Sequence, residues 1–146
     1  METVARTLDE LTAEAARLVH TLVPREDGAT LVTLSGELGA GKTAFVKEVA
    51  KALGVEDTVT SPTFVLEKIY RLPADAPFKQ LVHIDAYRLE GASGLTALGF
   101  DELMRESSNL ILLEWPERVA LDEPPSPATR IAMRLAPDGS RAITYA

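Results

Sequence analysis

Gly36-Glu37-Leu38-Gly39-Ala40-Gly41-Lys42-Thr43 carries the strongest chemical signal in this chain of 146 residues. It satisfies the pattern G-x-x-x-x-G-K-[ST] and adds a further glycine at Gly39. Glycines let a backbone curl around a phosphate without a Cβ in the way, so successive N–H groups can point inward as an anion nest. A helix opening at Lys42 adds its positive N-terminal end. Lys42 is placed to bridge the β- and γ-phosphates of a nucleotide. The Thr43 hydroxyl is placed to ligate Mg2+, a hard cation that prefers oxygen. At average residue frequencies such a match arises by chance in roughly one chain in a few hundred of this length. Here it also falls between an expected strand and an expected helix, which is the context a phosphate loop requires. Glu37 is ambiguous: its carboxylate would repel a triphosphate it faced and would be harmless turned to solvent or to a partner.

A magnesium–nucleotide site also needs a carboxylate at the end of a neighbouring strand, to bind the ion or orient its waters. Residues 81–85, Leu-Val-His-Ile-Asp, and 110–114, Leu-Ile-Leu-Leu-Glu, are short apolar runs that each end in one acid. Asp85 is the first candidate for the ion, and Glu114 for the ion's shell or the attacking water; on sequence alone the roles are interchangeable. His83 sits two residues before Asp85 and shares its face on a strand, where a hydrogen-bonded core histidine is the ordinary outcome. Tyr87 and Arg88 follow the same strand end, and Arg88 suits either a phosphate or a surface ion pair. Trp115, the single tryptophan, adjoins Glu114 and suits core packing or stacking on a base or ribose. Thr60-Ser61-Pro62-Thr63 fits a rigid turn or a segment that senses a γ-phosphate. His20 reads as structural.

These residues need elements to hold them. Leu8, Leu11, Ala15, Leu18, Val19 and Leu22 recur at helical spacing over residues 7–23, with Thr7 and Glu10 as a possible capping box. Residues 30–35 form an apolar run suited to a buried strand. Phe45, Val46, Val49, Ala50 and Leu53 return to helical spacing before Gly54. Residues 63–70 are β-rich and suit an exposed or edge strand, followed by a surface turn at 73–77. Residues 81–85 and 110–114 read as buried strands, and 91–106 as one or two short helices. Beyond Pro124, Pro125 and Pro127, residues 129–135 and 141–145 flank Pro137-Asp138-Gly139 as a terminal hairpin. The expected class is α/β: a mixed, mainly parallel sheet flanked by helices, with a C-terminal β-hairpin and a ligand at the strands' carboxyl ends.

Composition narrows the functions. At 146 residues with 46% hydrophobic residues, the chain suits one domain, residues 1–146, with an ordinary core. The formal net charge of −7 argues against autonomous nucleic-acid binding. The absence of cysteine excludes disulfides, thiolate nucleophiles and iron–sulfur clusters. Charges at Arg6, Asp9, Glu10, Glu14 and Arg17 interrupt any signal-peptide core, and no apolar run is long enough to span a bilayer, so the cytoplasm is the expected compartment.

Taken in order, residues 36–43, Ser-Pro-Thr-Phe at 61–64, His-Ile-Asp-Ala-Tyr-Arg at 83–88 and Glu-Trp-Pro-Glu at 114–117 resemble the TsaE family. These are small bacterial P-loop ATPases of tRNA threonylcarbamoyladenosine (t6A) synthesis. The resemblance covers nearly the whole chain except the C-terminal hairpin, and no motif position departs from it. It implies an ATPase of weak intrinsic activity, working with ATP and Mg2+ beside the TsaD and TsaB subunits, which transfer threonylcarbamoyl to adenosine 37 of tRNA. Contact with tRNA would then be indirect, through that complex. It further implies nucleotide contacts from Glu37, Leu38, Gly39, Ala40, Gly41, Lys42, Thr43, Ala44 and Trp115. Metal binding falls to Thr43, Asp85 and Glu114, and catalysis to Lys42, Asp85 and Glu114. A small-molecule kinase and a non-hydrolytic nucleotide switch are the alternatives the phosphate loop leaves open.

Overall fold

The computed structural model describes residues 1–55, 67–121, 123–124 and 127–146. Along the chain run β1 (Glu2–Ala5), α1 (Leu8–Thr21), β2 (Thr30–Ser35), α2 (Lys42–Ala52), β3 (Glu67–Arg71), β4 (Gln80–Asp85), α3 (Gly91–Ala97), α4 (Phe100–Arg105) and β5 (Asn109–Glu114). A 3-10 turn (Pro116–Val119), β6 (Thr129–Leu135) and β7 (Arg141–Tyr145) complete it. Seven strands form one sheet in the order β1-β7-β6-β2-β5-β4-β3. Periodicity locates most of these elements to within a residue or two. The strand expected over 63–70 is β3 at the sheet edge, and its expected first residues, 63–66, lie outside the described residues.

Parallel pairing joins β6, β2, β5 and β4, while β1–β7, β7–β6 and β4–β3 are antiparallel. The expectation of a mainly parallel sheet is thus corrected to an even mixture. Two causes account for it. Glu2–Ala5 has only four residues, too few to announce itself by alternation, yet it adds an antiparallel strand to β7. The hairpin is also built into the sheet, because β6 pairs directly with β2, whose end launches the glycine loop.

Both faces of the central strands are covered, which explains their unbroken apolar runs. Val32, Leu34, Leu110 and Leu112 meet Leu11, Leu18, Phe45 and Val49 of α1 and α2. On the opposite face, Leu31, Val82, Ile84, Ile111 and Leu113 meet Leu95, Phe100 and Val119. Helix α1 begins as its sequence asks, with the Thr7 hydroxyl accepting the Glu10 N–H at 3.1 Å.

One polar cluster ties α1 to β7. Buried Glu14 accepts the Tyr145 hydroxyl at 2.5 Å and the Arg17 guanidinium. Burial opposes charge on Glu14, but the Arg17 and Tyr145 hydrogen bonds and the Arg17 charge together outweigh it and hold the carboxyl below its ordinary range. A depressed carboxyl contributes stability above its unfolded pKa, and that contribution is lost as pH falls through the folded value. Tyr145→Phe should therefore cost about 1–2 kcal/mol near neutrality. In urea denaturation from neutral to acid pH, the gap between variant and wild type should narrow once Glu14 protonates.

Candidate functional site

The glycine loop leaves β2 and delivers the chain into α2 at the carboxyl edge of the parallel strands, beside the ends of β4 and β5. Its path demands two particular glycines. Gly36 has φ +143°, and a Cβ there would stand 2.3 Å from the Met133 carbonyl oxygen of β6. Gly41 has φ +97° and is the N-cap of α2. No side chain caps α2, so its first backbone N–H groups are available to an anion.

Lys42 is buried, and its ammonium donates to the Gly36 and Glu37 carbonyl oxygens at 2.5 and 2.9 Å. An ammonium has three donors, so this clasp leaves one. Burial pushes the Lys42 pKa down, against the charges of Glu114, Glu117 and Asp85, which favour its protonated form. Glu37 contributes its carbonyl here, while its side chain is exposed. Leu38 and Gly39 are also exposed, Ala40 is buried and Ala44 half-buried.

The Thr43 hydroxyl lies 3.1 and 3.3 Å from the two carboxylate oxygens of Glu114. Glu114 is buried and also accepts His83 Nε2–H at 2.5 Å. His83 is fully buried, and its Nδ1 has no partner among the described residues. The reading of His83 as a hydrogen-bonded core histidine is incomplete, since its partner is itself a candidate site residue. Asp85 stands directly opposite Glu114 in the β4–β5 register. It is half-buried and accepts the Tyr87 N–H at 3.1 Å. Burial pushes the Asp85 carboxyl up and the Glu114 charge adds to this, against the Tyr87 N–H, His83 and Lys42.

Trp115 closes the mouth of the site. Its backbone is left-handed, φ 61° and ψ 53°, a sparsely populated conformation for a bulky residue that costs on the order of 1–3 kcal/mol. Its N–H donates to the Leu34 carbonyl at 3.1 Å. The indole lies over the Lys42 ammonium at 4.2 Å and beside the Tyr87 ring at 4.9 Å, and the Arg118 guanidinium covers Tyr87 at 4.9 Å. A cleft of about 430 Å³ opens between this cluster and Gly36, Glu37 and Leu38. Residues 60–63 lie outside the described residues, and His20 is exposed on the last turn of α1. Sequence reasoning did not single out Arg118 or Arg141. Arg118 lies three residues past Trp115, which was a usable hint; Arg141 packs against Gly41 from β7 with no local signal at all.

Among the described residues, no group of three histidines or acids forms a preassembled metal cluster, and no helix is long and apolar enough to cross a membrane.

A glycine loop, a buried lysine and a carboxylate pair converge at the ends of the parallel strands, and together with the seven-stranded sheet they define a mixed α/β protein. Comparison then fixes the family: the family model for "Threonylcarbamoyl adenosine biosynthesis protein TsaE" matches residues 5–143, and the chain belongs to the TsaE family. The match enters the second strand of the hairpin, so the family likeness extends further than the motifs alone implied. The tRNA threonylcarbamoyladenosine biosynthesis protein TsaE of Treponema pallidum is 40% identical over 123 residues, 83% of this chain and 84% of that protein. Its Bacillus subtilis counterpart is 37% identical over 118 residues, 79% and 68% of the two chains. The crystal structure of Bacillus subtilis YdiB has a TM-score of 0.75 at 28% identity, covering 99% of this chain and 83% of that one.

The hydrogen-bonded group His83–Glu114–Thr43, with His83 and Glu114 buried, makes a definite demand on stability. His83→Leu should leave the Glu114 carboxylate with one donor fewer and lower unfolding stability by about 2 kcal/mol, as read by urea denaturation.

Proposed function

We propose that residues 1–146 form one P-loop ATPase domain that binds and hydrolyses ATP with Mg2+, and that its turnover drives t6A modification of tRNA in the cytoplasm with the TsaD–TsaB pair. The observation that carries this reading is the convergence at the start of α2. The Lys42 ammonium is fixed by loop carbonyls, and the Thr43 hydroxyl meets a carboxylate from the neighbouring strand. A net charge of −7 supports reaching tRNA through the partner subunits.

In this reading the N–H groups of residues 39–44 and the remaining donor of Lys42 hold the phosphates. Thr43 and Glu114 would hold the magnesium ion, whose chemistry is to neutralise charge on the phosphate oxygens. The donor set suits it: one hydroxyl and carboxylate oxygen are hard ligands, and Mg2+ commonly takes one or two carboxylates with the phosphates completing its shell. His83 fixes the orientation of Glu114. Asp85, half-buried and with Oδ2 free of the Tyr87 turn, is then the carboxylate that orients the attacking water. Sequence alone favoured Asp85 for the ion and left Glu114 to the ion's shell or the water, with the roles interchangeable; the bond from Thr43 to Glu114 supports giving Glu114 the ion. Trp115 covers Lys42 and must shift to admit the phosphates.

Titration of magnesium–ATP into the protein should change the fluorescence of Trp115, the sole tryptophan, and Lys42→Ala should weaken that binding about tenfold or more. Asp85→Asn should keep ATP binding and lose turnover. Adding TsaD and TsaB should raise steady-state hydrolysis; an unchanged rate over a range of partner concentrations would refute the coupling. Repeated rounds of tRNA modification supported by a non-hydrolysable ATP analogue would replace the ATPase with a nucleotide switch.

A further inference from the structure

Arg141 opens β7 and alternates with Ile143 and Tyr145, whose side chains join the face packed by α1 and α2. Because β7 runs antiparallel to β6, and β6 parallel to β2, Arg141 stands at the edge where the glycine loop begins. A Cβ built on Gly41 would lie 2.2 Å from Arg141 Nε, 2.7 Å from its Cδ and 3.1 Å from its Cζ. The arginine therefore fills the space that any side chain at Gly41 would claim. Its Nε is buried and has no hydrogen-bond partner among the described residues. The residue as a whole is half-buried.

A buried N–H left unpaired beside a loop is costly unless something satisfies it. An arginine fork matches phosphate oxygens in geometry and charge. The surroundings also call for a second cation. The charges of Asp85, Glu114 and Glu117 reach Lys42, the cation clasped by the loop. A polyanion entering there gains from positive charge on the side away from the acids.

Sheet order supplies the direction. Asp85 and Glu114 end β4 and β5 on one side of β2, whereas Arg141 belongs to β7, beyond β6 on the other. With the acids marking the terminal phosphate, the nucleoside end points toward Arg141. Its contact with Gly41, one residue before Lys42, sets its reach to the phosphate chain. We infer that Arg141 is a nucleotide-binding residue that holds the α-phosphate, orienting the triphosphate along the loop from β7 toward Glu114. This rests on the proposed ATPase reading and adds to it a ligand residue and a polarity.

The test is calorimetry on the full chain with magnesium, using ATP, inorganic tripolyphosphate and pyrophosphate, for wild type, Arg141→Met and Arg141→Lys. Arg141→Met should weaken ATP and tripolyphosphate by about tenfold and leave pyrophosphate unchanged. Arg141→Lys, which keeps the charge without the fork, should fall between and serves alone if the methionine variant does not fold. Equal loss on all three ligands would make Arg141 a brace for the loop, and loss on ATP alone would make it a contact of the nucleoside; either overturns the α-phosphate assignment, as does no loss at all. Wild-type protein that binds tripolyphosphate and ATP equally well would keep the phosphate site while removing the nucleotide preference. Wild-type protein that binds none of them would overturn the ATPase reading itself, and with it this inference.

Discussion

The clasp between the Lys42 ammonium and the carbonyls of Gly36 and Glu37 is the constraint from which the rest of the site follows. Six residues of loop must turn sharply enough for a lysine at the start of a helix to reach back to the loop's own beginning. That turn is possible only because Gly36 passes against the Met133 carbonyl and Gly41 takes a left-handed backbone at the head of α2. Once closed, the loop presents uncapped helix N–H groups and a buried cation to the same small volume. The positive end of α2 and the Lys42 charge thus act together.

Strands β4 and β5 supply the counterweight. Their register sets Asp85 opposite Glu114, and burial of the strands on both faces shields Glu114 from water. Glu114 is satisfied by His83 and Thr43, whereas Asp85 keeps a more open position with its carboxyl pushed up by burial. Two chemically similar acids are thereby given different environments, and the proposed division between a binding role and a water-orienting one rests on that difference. The strained backbone of Trp115 belongs to the same arrangement. It turns the chain over β2 immediately after Glu114, laying the indole across Lys42.

Much of this is legible from particular residues. The loop pattern, the strand before it and the amphipathic helix after it are local, and the helix cap at Thr7 forms as its spacing predicts. Apolar runs ending in Asp85 and Glu114 mark buried strands, because a strand covered on both faces has no alternation to display. What escaped has the opposite character. The four-residue strand Glu2–Ala5 has too little length for a period, and its pairing with β7 depends on a segment at the other end of the chain, Glu2 with Thr144 and Ala5 with Arg141. The bond from His83 to Glu114 crosses between strands, so the two positions look unrelated in the chain. Arg141 meets Gly41 only because the hairpin is woven into the sheet.

The sequence by itself determined the loop, its helix, the buried strands and the family, since each rests on residue types at short fixed spacings and on local backbone preferences. Tertiary structure alone decided which acid meets Thr43, that Trp115 covers Lys42, and that an arginine from the last strand stands behind the glycine loop. These are relations between segments whose separation in space is set by sheet order and register, and no local propensity encodes that order.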